Sequence, residues 1–439
     1  MKVAFSNCYL KREIMAKKYW YPLDNAAKIY PPNTNSQSPF VFSFTARLAE
    51  EIDPELLQKA LNDLLENKPT FKTRLKRGIF WYYLETNNKK AIVKPQPAHY
   101  LKQITPESNN GYMFEVFYRK NTVTINFHHS LTDGTGGVNF FLELIFEYFK
   151  LVGYAVESEG VIRPSATPHM IEESEDSFVA VAKTKGNSPA TENLAYKFRG
   201  TPFSHDGYGI TAGVCSVQQV KDLAKKYGTT VTVYLAALYM HVIYETCLKG
   251  KQIKNKDVKI LVPINLRKKF LSNTVRNFAL FVRLKHDYKN PITFEECIEI
   301  CKKQMDEGTQ TEVIEDLIHS NVKLERNPFL KLTPLFLKDI VMRLVYLRVG
   351  ENLQSGDFSN IGLIKTPECF EGKLKDIVFV IGPTKNAPQN FSAIGYDGKL
   401  YISSARGYVE THIEREFFSH LSKEGVDLTV YSNYWEAEV

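Results

Sequence analysis

Apolar and polar positions change period repeatedly along the chain, and the pattern reads as strands and helices in mixed order. Residues 40–48 alternate as a strand. A helix follows over 53–67, where Asp53 is a capping residue before Pro54 and Leu56, Leu57, Ala60, Leu61 and Leu64 form one stripe. Strands are predicted at 71–75 and 80–86, then a hairpin over 113–119 and 122–129 through Lys120-Asn121. A helical run follows Gly137 to about 150, with Phe140, Phe141, Leu144, Ile145 and Tyr148 on its buried side. Residues 154–200 lose this patterning. They are acidic, carry Ser, Thr and Pro, and read as a linker with a short helix near 176–183.

The second half resumes with a strand at 208–216 and helices at 217–227 and 231–248. Apolar runs at 258–263 and 278–284 suit strands covered on both faces. Helical patterns follow at 293–305, 312–322 and 335–349. The last has Lys338, Arg343 and Arg348 among aliphatics. It reads first as a peripheral core helix, the other options being a membrane-surface helix or the roof of a lipid tunnel. Strands at 375–381, 391–396 and 400–404 come next, the last two joined by the hairpin turn Tyr396-Asp-Gly-Lys399. A helix at 413–423 and a strand at 427–431 close the chain. No internal repeat is visible. With 439 residues the chain can form two lobes sharing an interface. The expected boundaries are 1–190, ending in the linker, and 191–439.

Composition narrows the class. A chain 44% hydrophobic and 24% charged is globular. The formal charge of +7 suits an anionic ligand, while the absence of a dense Lys/Arg cluster argues against nucleic acid. The basic runs 221–226 and 266–269 read as solvated faces. Six scattered cysteines are expected to be reduced thiols of a cytoplasmic protein, because the spacing of Cys297 and Cys301 is neither a zinc nor a redox motif. The N-terminus has lysines but no apolar segment behind them, so no signal peptide is expected. The one span candidate, 231–248, carries His241 and Glu245 and reads as a core helix, leaving no transmembrane segment expected.

The densest chemistry lies at 122–137: Thr122-Val-Thr-Ile-Asn-Phe-His128-His129-Ser-Leu-Thr-Asp133-Gly134-Thr-Gly136-Gly137. Alternation over 123–128 makes a half-buried strand that runs into a glycine-rich turn and then a helix. Strand phase places His129 on the apolar face and His128 on the polar one. Burial disfavours an imidazolium, so His129 would stay neutral and could accept a proton near pH 7. Adjacent strand residues cannot share one metal ion, and no third ligand follows at a suitable spacing, so no metal site is expected. The competing reading is a core histidine and a surface histidine before an ordinary Asp-Gly turn. It suits an isolated pair and fits the complete strand–turn–helix pattern less well.

His128-His129-Ser-Leu-Thr-Asp133-Gly134 resembles the HHxxxDG signature of condensation-domain and chloramphenicol-acetyltransferase-like acyltransferases. The chain looks most similar to their bacterial alcohol acetyltransferase-like branch. Three further stretches fall in the order of that family: Tyr21-Pro-Leu-Asp-Asn-Ala-Ala-Lys-Ile-Tyr30, Pro263-Ile-Asn-Leu-Arg267 and Ser359-Asn-Ile-Gly362. The resemblance implies an α/β (α+β) fold of two chloramphenicol-acetyltransferase-like lobes, each a mixed sheet with flanking helices, and an active-site channel between them. It also implies transfer of an acyl group, acetyl in that branch, from acyl-CoA as co-substrate to an alcohol or amine acceptor, with no tightly bound cofactor.

In this reading His129 is the catalytic base. No acyl-enzyme is needed, and no Gly-x-Ser-x-Gly elbow or Cys/His signature is present to form one. Asp133 holds the turn through an ion pair with Arg267, the partner implied by resemblance, although Arg12, Arg47 and Arg276 remain open on residues alone. His128 and Gly134 support the site. Gly136, Ser359 and Asn360 are candidate substrate or oxyanion contacts. Plant relatives have Asp-Phe-Gly-Trp-Gly where this chain has Asp357-Phe-Ser-Asn-Ile-Gly362, so that motif's role is not carried over intact. Two alternatives remain: a stand-alone condensation-type enzyme taking thioesters from an acyl carrier protein, and a non-catalytic binding module of the same fold.

Overall fold

The computed structural model describes residues 19–99, 101–163, 171–183, 186, 192–203, 207–251 and 257–433. Residues 1–18, with Cys8 and Arg12, and parts of the 154–200 segment lie outside them. The first half contributes strands β1 (Trp20–Pro22), β2 (Val41–Leu48), β3 (Thr73–Arg77), β4 (Tyr82–Thr86), β5 (Val93–Pro95), β6 (Phe114–Arg119) and β7 (Thr122–His128). The second half contributes β8 (Gly209–Ser216), β9 (Val258–Asn265), β10 (Ala279–His286), β11 (Gly356–Leu363) and β12 (Leu374–Ile381). It ends with β13 (Gln389–Tyr396), β14 (Lys399–Arg406) and β15 (Thr429–Ser432).

These strands form three sheets in an α+β arrangement. A small one has the order β1-β4-β3. A five-stranded sheet runs β12-β2-β7-β6-β5, and a seven-stranded sheet runs β10-β9-β11-β13-β14-β8-β15. β12 comes from the second half yet pairs antiparallel with β2 of the first, from Leu374 opposite Leu48 to Ile381 opposite Phe42. The two sheets are therefore tied by a continuous chain as well as by contacts. The Tyr401 hydroxyl of β14 donates to Asp376 of β12 at 2.7 Å, and Ser392 of β13 donates to the carbonyl of Phe379 at 2.7 Å.

Each of the two larger sheets buries one face under helices. Helices Pro54–Glu66 and Gly134–Val152 pack on the five-stranded sheet, where Phe42, Phe44, Ile125 and Phe127 join Phe71, Phe140 and Phe141 in an aromatic core. Asp53 caps the first of these helices by accepting from the amides of Glu55 and Leu56. Helix Val231–Ile243 is buried almost all round beneath the seven-stranded sheet. With its continuation to Leu248 it is long and apolar enough to cross a membrane, but most of it lies inside the second core.

The structure corrects three expectations of the pattern. β7 is buried on both faces, not half-buried, because it is central in its sheet and its polar side is covered as well. On that side Val41 and Val380 pack with Leu101, Ile104 and Ala405, so Thr124, Asn126 and His128 are enclosed too. β11 was not visible as a strand, yet it lies in the middle of the large sheet, parallel to both neighbours. Helix Leu335–Val345 is not a core helix: Phe336, Ile340 and Leu344 face solvent.

Because β12 belongs by sequence to one half and by packing to the other, the lobes should unfold together. Ile377→Ala, at a fully buried β12 position, is expected to cost about 2–5 kcal/mol. In urea titrations followed by tryptophan fluorescence and far-UV circular dichroism, both signals should shift as one transition. Two separated transitions would contradict the shared-strand account.

Candidate active site

Helix Gly134–Val152 begins four residues earlier than the glycine-rich sequence suggests, at Gly134. Asp133 is its cap, accepting the Gly136 amide through Oδ1 at 3.0 Å. The glycines serve clearance, not conformational freedom. A Cβ on Gly134 would sit 2.7 Å from Ile361 Cδ1, and one on Gly137 would sit 2.8 Å from the Phe42 ring. One on Gly136 would collide with the Val275 carbonyl and the Thr132 hydroxyl. The motif turn is thus clasped by loop 274–278 and by β11, both from the second half.

The clasp centres on Asp133. Arg267 Nη1 reaches Oδ2 at 2.9 Å and Nη2 reaches Oδ1 at 3.0 Å, a bidentate pair. The Phe278 amide also donates to Oδ2 at 2.9 Å. Arg267 is itself held by the carbonyls of Thr274 and Arg276. Arg47 pairs with Asp376 and Arg276 lies beside Asp24, so among the described arginines only Arg267 meets Asp133. Around this pair, Thr132 donates to the Val275 carbonyl at 2.5 Å, and Asn265 donates to Thr135 at 3.1 Å.

The two histidines have different surroundings. The amide of Ser130 donates to His128 Nδ1 at 3.1 Å, so Nδ1 is an acceptor and the proton sits on Nε2. That Nε2–H donates to Thr34 Oγ1 at 2.9 Å, and Thr34 in turn donates to the Tyr30 carbonyl at 2.8 Å. Burial, with the neighbouring His129, lowers the His128 pKa to about 3. His128 is therefore a neutral brace that holds the Tyr30–Asn33 helical turn.

His129 lies at the apolar wall. Its ring stacks on Tyr30 at 5.1 Å between centroids and 20° between planes, and it is 4.7 Å from the Phe42 ring. The residue is partly exposed, but Nδ1 is buried without a hydrogen-bond partner. Burial lowers its pKa to about 4, against the opposing pull of the Asp133 charge. The backbone is fixed on both sides: the His129 amide donates to Phe40 O at 2.9 Å, and its carbonyl accepts from Asn277 Nδ2 at 2.9 Å. Phe40 has φ of 49°, which costs a non-glycine residue about 1–3 kcal/mol. Ring contacts with Tyr30 and Tyr346, with the His129 hydrogen bond, hold it there.

Several supporting residues escaped the sequence. Asp24 is wholly buried; it accepts from the Ala27 amide at 2.8 Å and from Asn277 Nδ2 at 3.1 Å, and burial raises its pKa despite Arg276 nearby. Asp24 and Asn277 thus form a relay that ends on the His129 carbonyl. The one available signal was Asp-Asn before Ala-Ala in the 21–30 stretch, a helix-capping pattern.

Two candidate contacts are already committed. The Gly136 N–H goes to Asp133, so it does not face a substrate. Asn360 donates through Nδ2 to Thr232 at 3.0 Å and accepts the Gly362 amide at 2.9 Å, which stabilises the irregular end of β11. Ser359 is partly exposed, two residues before the Ile361 side chain that fills the space beside Gly134. No group of His, Cys, Asp and Glu among the described residues could hold a metal ion. The five described cysteines are free.

Asp133→Asn would leave the part-buried Arg267 guanidinium without its counter-charge, at a cost of up to about 3–5 kcal/mol. Thermal melts should show that loss. A variant that melts like the parent would contradict the architectural role of the pair.

No family model matches the chain, and no curated protein matches it. Solved structures do. Polyketide synthase associated protein 5 from Mycobacterium tuberculosis superposes with a TM-score of 0.56 at 17% identity, over 91% of this chain and 97% of that one. A variant starter condensation domain of rhizomide synthetase in complex with C8-CoA gives a TM-score of 0.59 at 12% identity, over 93% and 98%. Trichothecene 15-O-acetyltransferase from Fusarium sporotrichioides gives 0.52 at 12%, over 93% and 94%. The chain therefore has the two-lobed α+β fold seen in these condensation-domain and acetyltransferase structures.

Proposed function

We propose that this chain is an acyltransferase that moves an acyl group from a thioester to an alcohol or amine, with His129 as general base. The observation that carries this reading is the His129 ring itself. It is uncharged, stacked on Tyr30, in tilted contact with Phe42, and fixed through both its amide and its carbonyl. A neutral imidazole placed in this way takes the acceptor's proton as its oxygen or nitrogen attacks the thioester carbonyl. The negative charge that develops on the carbonyl oxygen needs a donor, and with Gly136 and Asn360 committed elsewhere, Ser359 is the remaining candidate. The thioester is already activated, so acceptor and donor meet directly and no acyl-enzyme forms.

The C8-CoA bound to the rhizomide synthetase neighbour supports an acyl-CoA donor, and the acetyltransferase neighbour supports acetyl as one acyl group. The clasp of the motif turn by Ile361 and Arg267 supports a site at the junction of the lobes. Carrier-bound thioesters are the alternative donors. Free-thiol release from a panel of acyl-CoAs and carrier-bound thioesters, with and without alcohols and amines, tests the reading. Acceptor-dependent release supports acyl transfer, and no release with any donor leaves the binding-module alternative.

His129→Ala should lower acyl transfer by about 10²–10⁴-fold with an unchanged melting curve. Near-native turnover would remove His129 from the chemistry. The pH dependence follows from the lowered pKa. With the imidazole half-protonated only near pH 4, kcat/KM should be insensitive to this group through the neutral range and fall as pH drops toward 4. Initial rates across pH, taken where the fold is intact, check this; a base-dependent decline centred near pH 6.5 would contradict it.

A further inference from the structure

We propose that helix Leu335–Val345, with the short helix Pro328–Leu332 before it and the β3–β4 hairpin beside it, forms a docking surface for an anionic lipid bilayer. Helix Leu335–Val345 is turned inside out. Its charged side chains are engaged with the protein: Lys338 Nζ donates to the Phe80 carbonyl at 2.8 Å and lies 3.6 Å over the Trp81 ring. Asp339 receives Arg77 and the Tyr82 hydroxyl, and Arg343 Nε donates to the Pro32 carbonyl at 2.6 Å. The apolar side chains point to solvent instead. Phe336, Ile340 and Leu344 recur at helical spacing and are 59%, 55% and 55% exposed. Phe329 and Leu332 are 85% and 75% exposed on the preceding helix, and Ile79 is 75% exposed at the hairpin tip. The hairpin and helix are one surface, since the Leu335 amide donates to the Ile79 carbonyl at 2.8 Å.

Isolated exposed apolar residues need no explanation, but a contiguous face of this kind marks a contact with something apolar. Charge selects the occupant. Between residues 323 and 348 the chain has six basic and two acidic residues. Both acids are already neutralised, Glu325 by Lys28 and Asp339 by Arg77. Lys331, next to Leu332 in the chain, and Arg348, next to Leu347, are exposed, as is Lys323. Apolar side chains framed by lysine and arginine fit the boundary between acyl chains and anionic headgroups. A second copy of the chain would set the same positive rim against itself. The surface lies close to the candidate site, because Tyr346 packs on Phe40, Phe40 on Tyr30 and Tyr30 on His129. Docking does not depend on the acyl-transfer reading and is tested without it.

The experiment is flotation of the purified full chain with vesicles of phosphatidylcholine alone, and of phosphatidylcholine mixed with an equal part of phosphatidylglycerol. The parent should float with the anionic vesicles and much less with the neutral ones. The double variant Ile340→Asp/Leu344→Asp, at solvent-facing positions, should keep its circular dichroism melt and lose binding by about tenfold or more. Lys331→Glu/Arg348→Glu should weaken binding to anionic vesicles while leaving the apolar face intact. The proposal is overturned if the parent stays in solution with anionic vesicles, or if both double variants float as it does. It is also overturned if sedimentation velocity shows a parent dimer that Ile340→Asp/Leu344→Asp dissociates, which would identify a second copy as the occupant.

Discussion

The Asp133 carboxylate accepts from the Gly136 amide of its own helix, from the Phe278 amide and from both Arg267 Nη atoms. Three of those four donors come from the second half of the chain, so the lobes meet on one buried anion. Such an anion is unfavourable in a protein interior unless nearly every lone pair is used. Here each oxygen accepts two hydrogen bonds. The position of Asp133 therefore fixes where the helix starts, how near loop 274–278 comes, and how β11 passes the motif glycines. His129, four residues earlier, inherits its place from that arrangement.

Around this anchor the site is built by pinning backbone, so that one ring can be left chemically free. His129 is fixed by Phe40 and Asn277 through main-chain atoms. Its neighbour His128 uses both ring nitrogens to brace Thr34 and Ser130. The same division appears in the electrostatics. Burial keeps both imidazoles uncharged, but only His129 has a ring nitrogen without a partner inside the protein. A ring that is rigid, neutral and partly exposed suits the proposed proton transfer between two molecules that arrive separately.

Much of the fold was legible because local signals and tertiary contacts agree. The Asp53-Pro54 start, the Lys120-Asn121 hairpin and the aliphatic period of 217–226 each correspond to an element of the structure. Strand phase also separated the surroundings of the two histidines, since alternation puts one on the aromatic core side and the other on the polar side. What was illegible has physical causes. Gly-Asp-Phe-Ser-Asn-Ile-Gly-Leu lacks alternation, so β11 is a strand only because two parallel neighbours supply its ladder. The apolar run of β12 fits either sheet, and nothing local says that it crosses to β2. Glycines at 134, 136 and 137 read as a turn, although they are helical and small because neighbours press on them. Periodicity at 335–345 gives a helix but not which face meets the protein. Asp24 and Asn277 act on His129 across 253 residues of chain, a separation no pattern reports.

In the proposed direct transfer at His129 the acyl group passes between two bound substrates and never rests on the protein. Intact-protein mass spectrometry after incubation with an acyl-CoA and no acceptor tests it most directly. Direct transfer leaves the protein mass unmodified, with product appearing only once an alcohol or amine is added. An acyl increment on the protein that is discharged when acceptor is supplied would establish a covalent intermediate and contradict it.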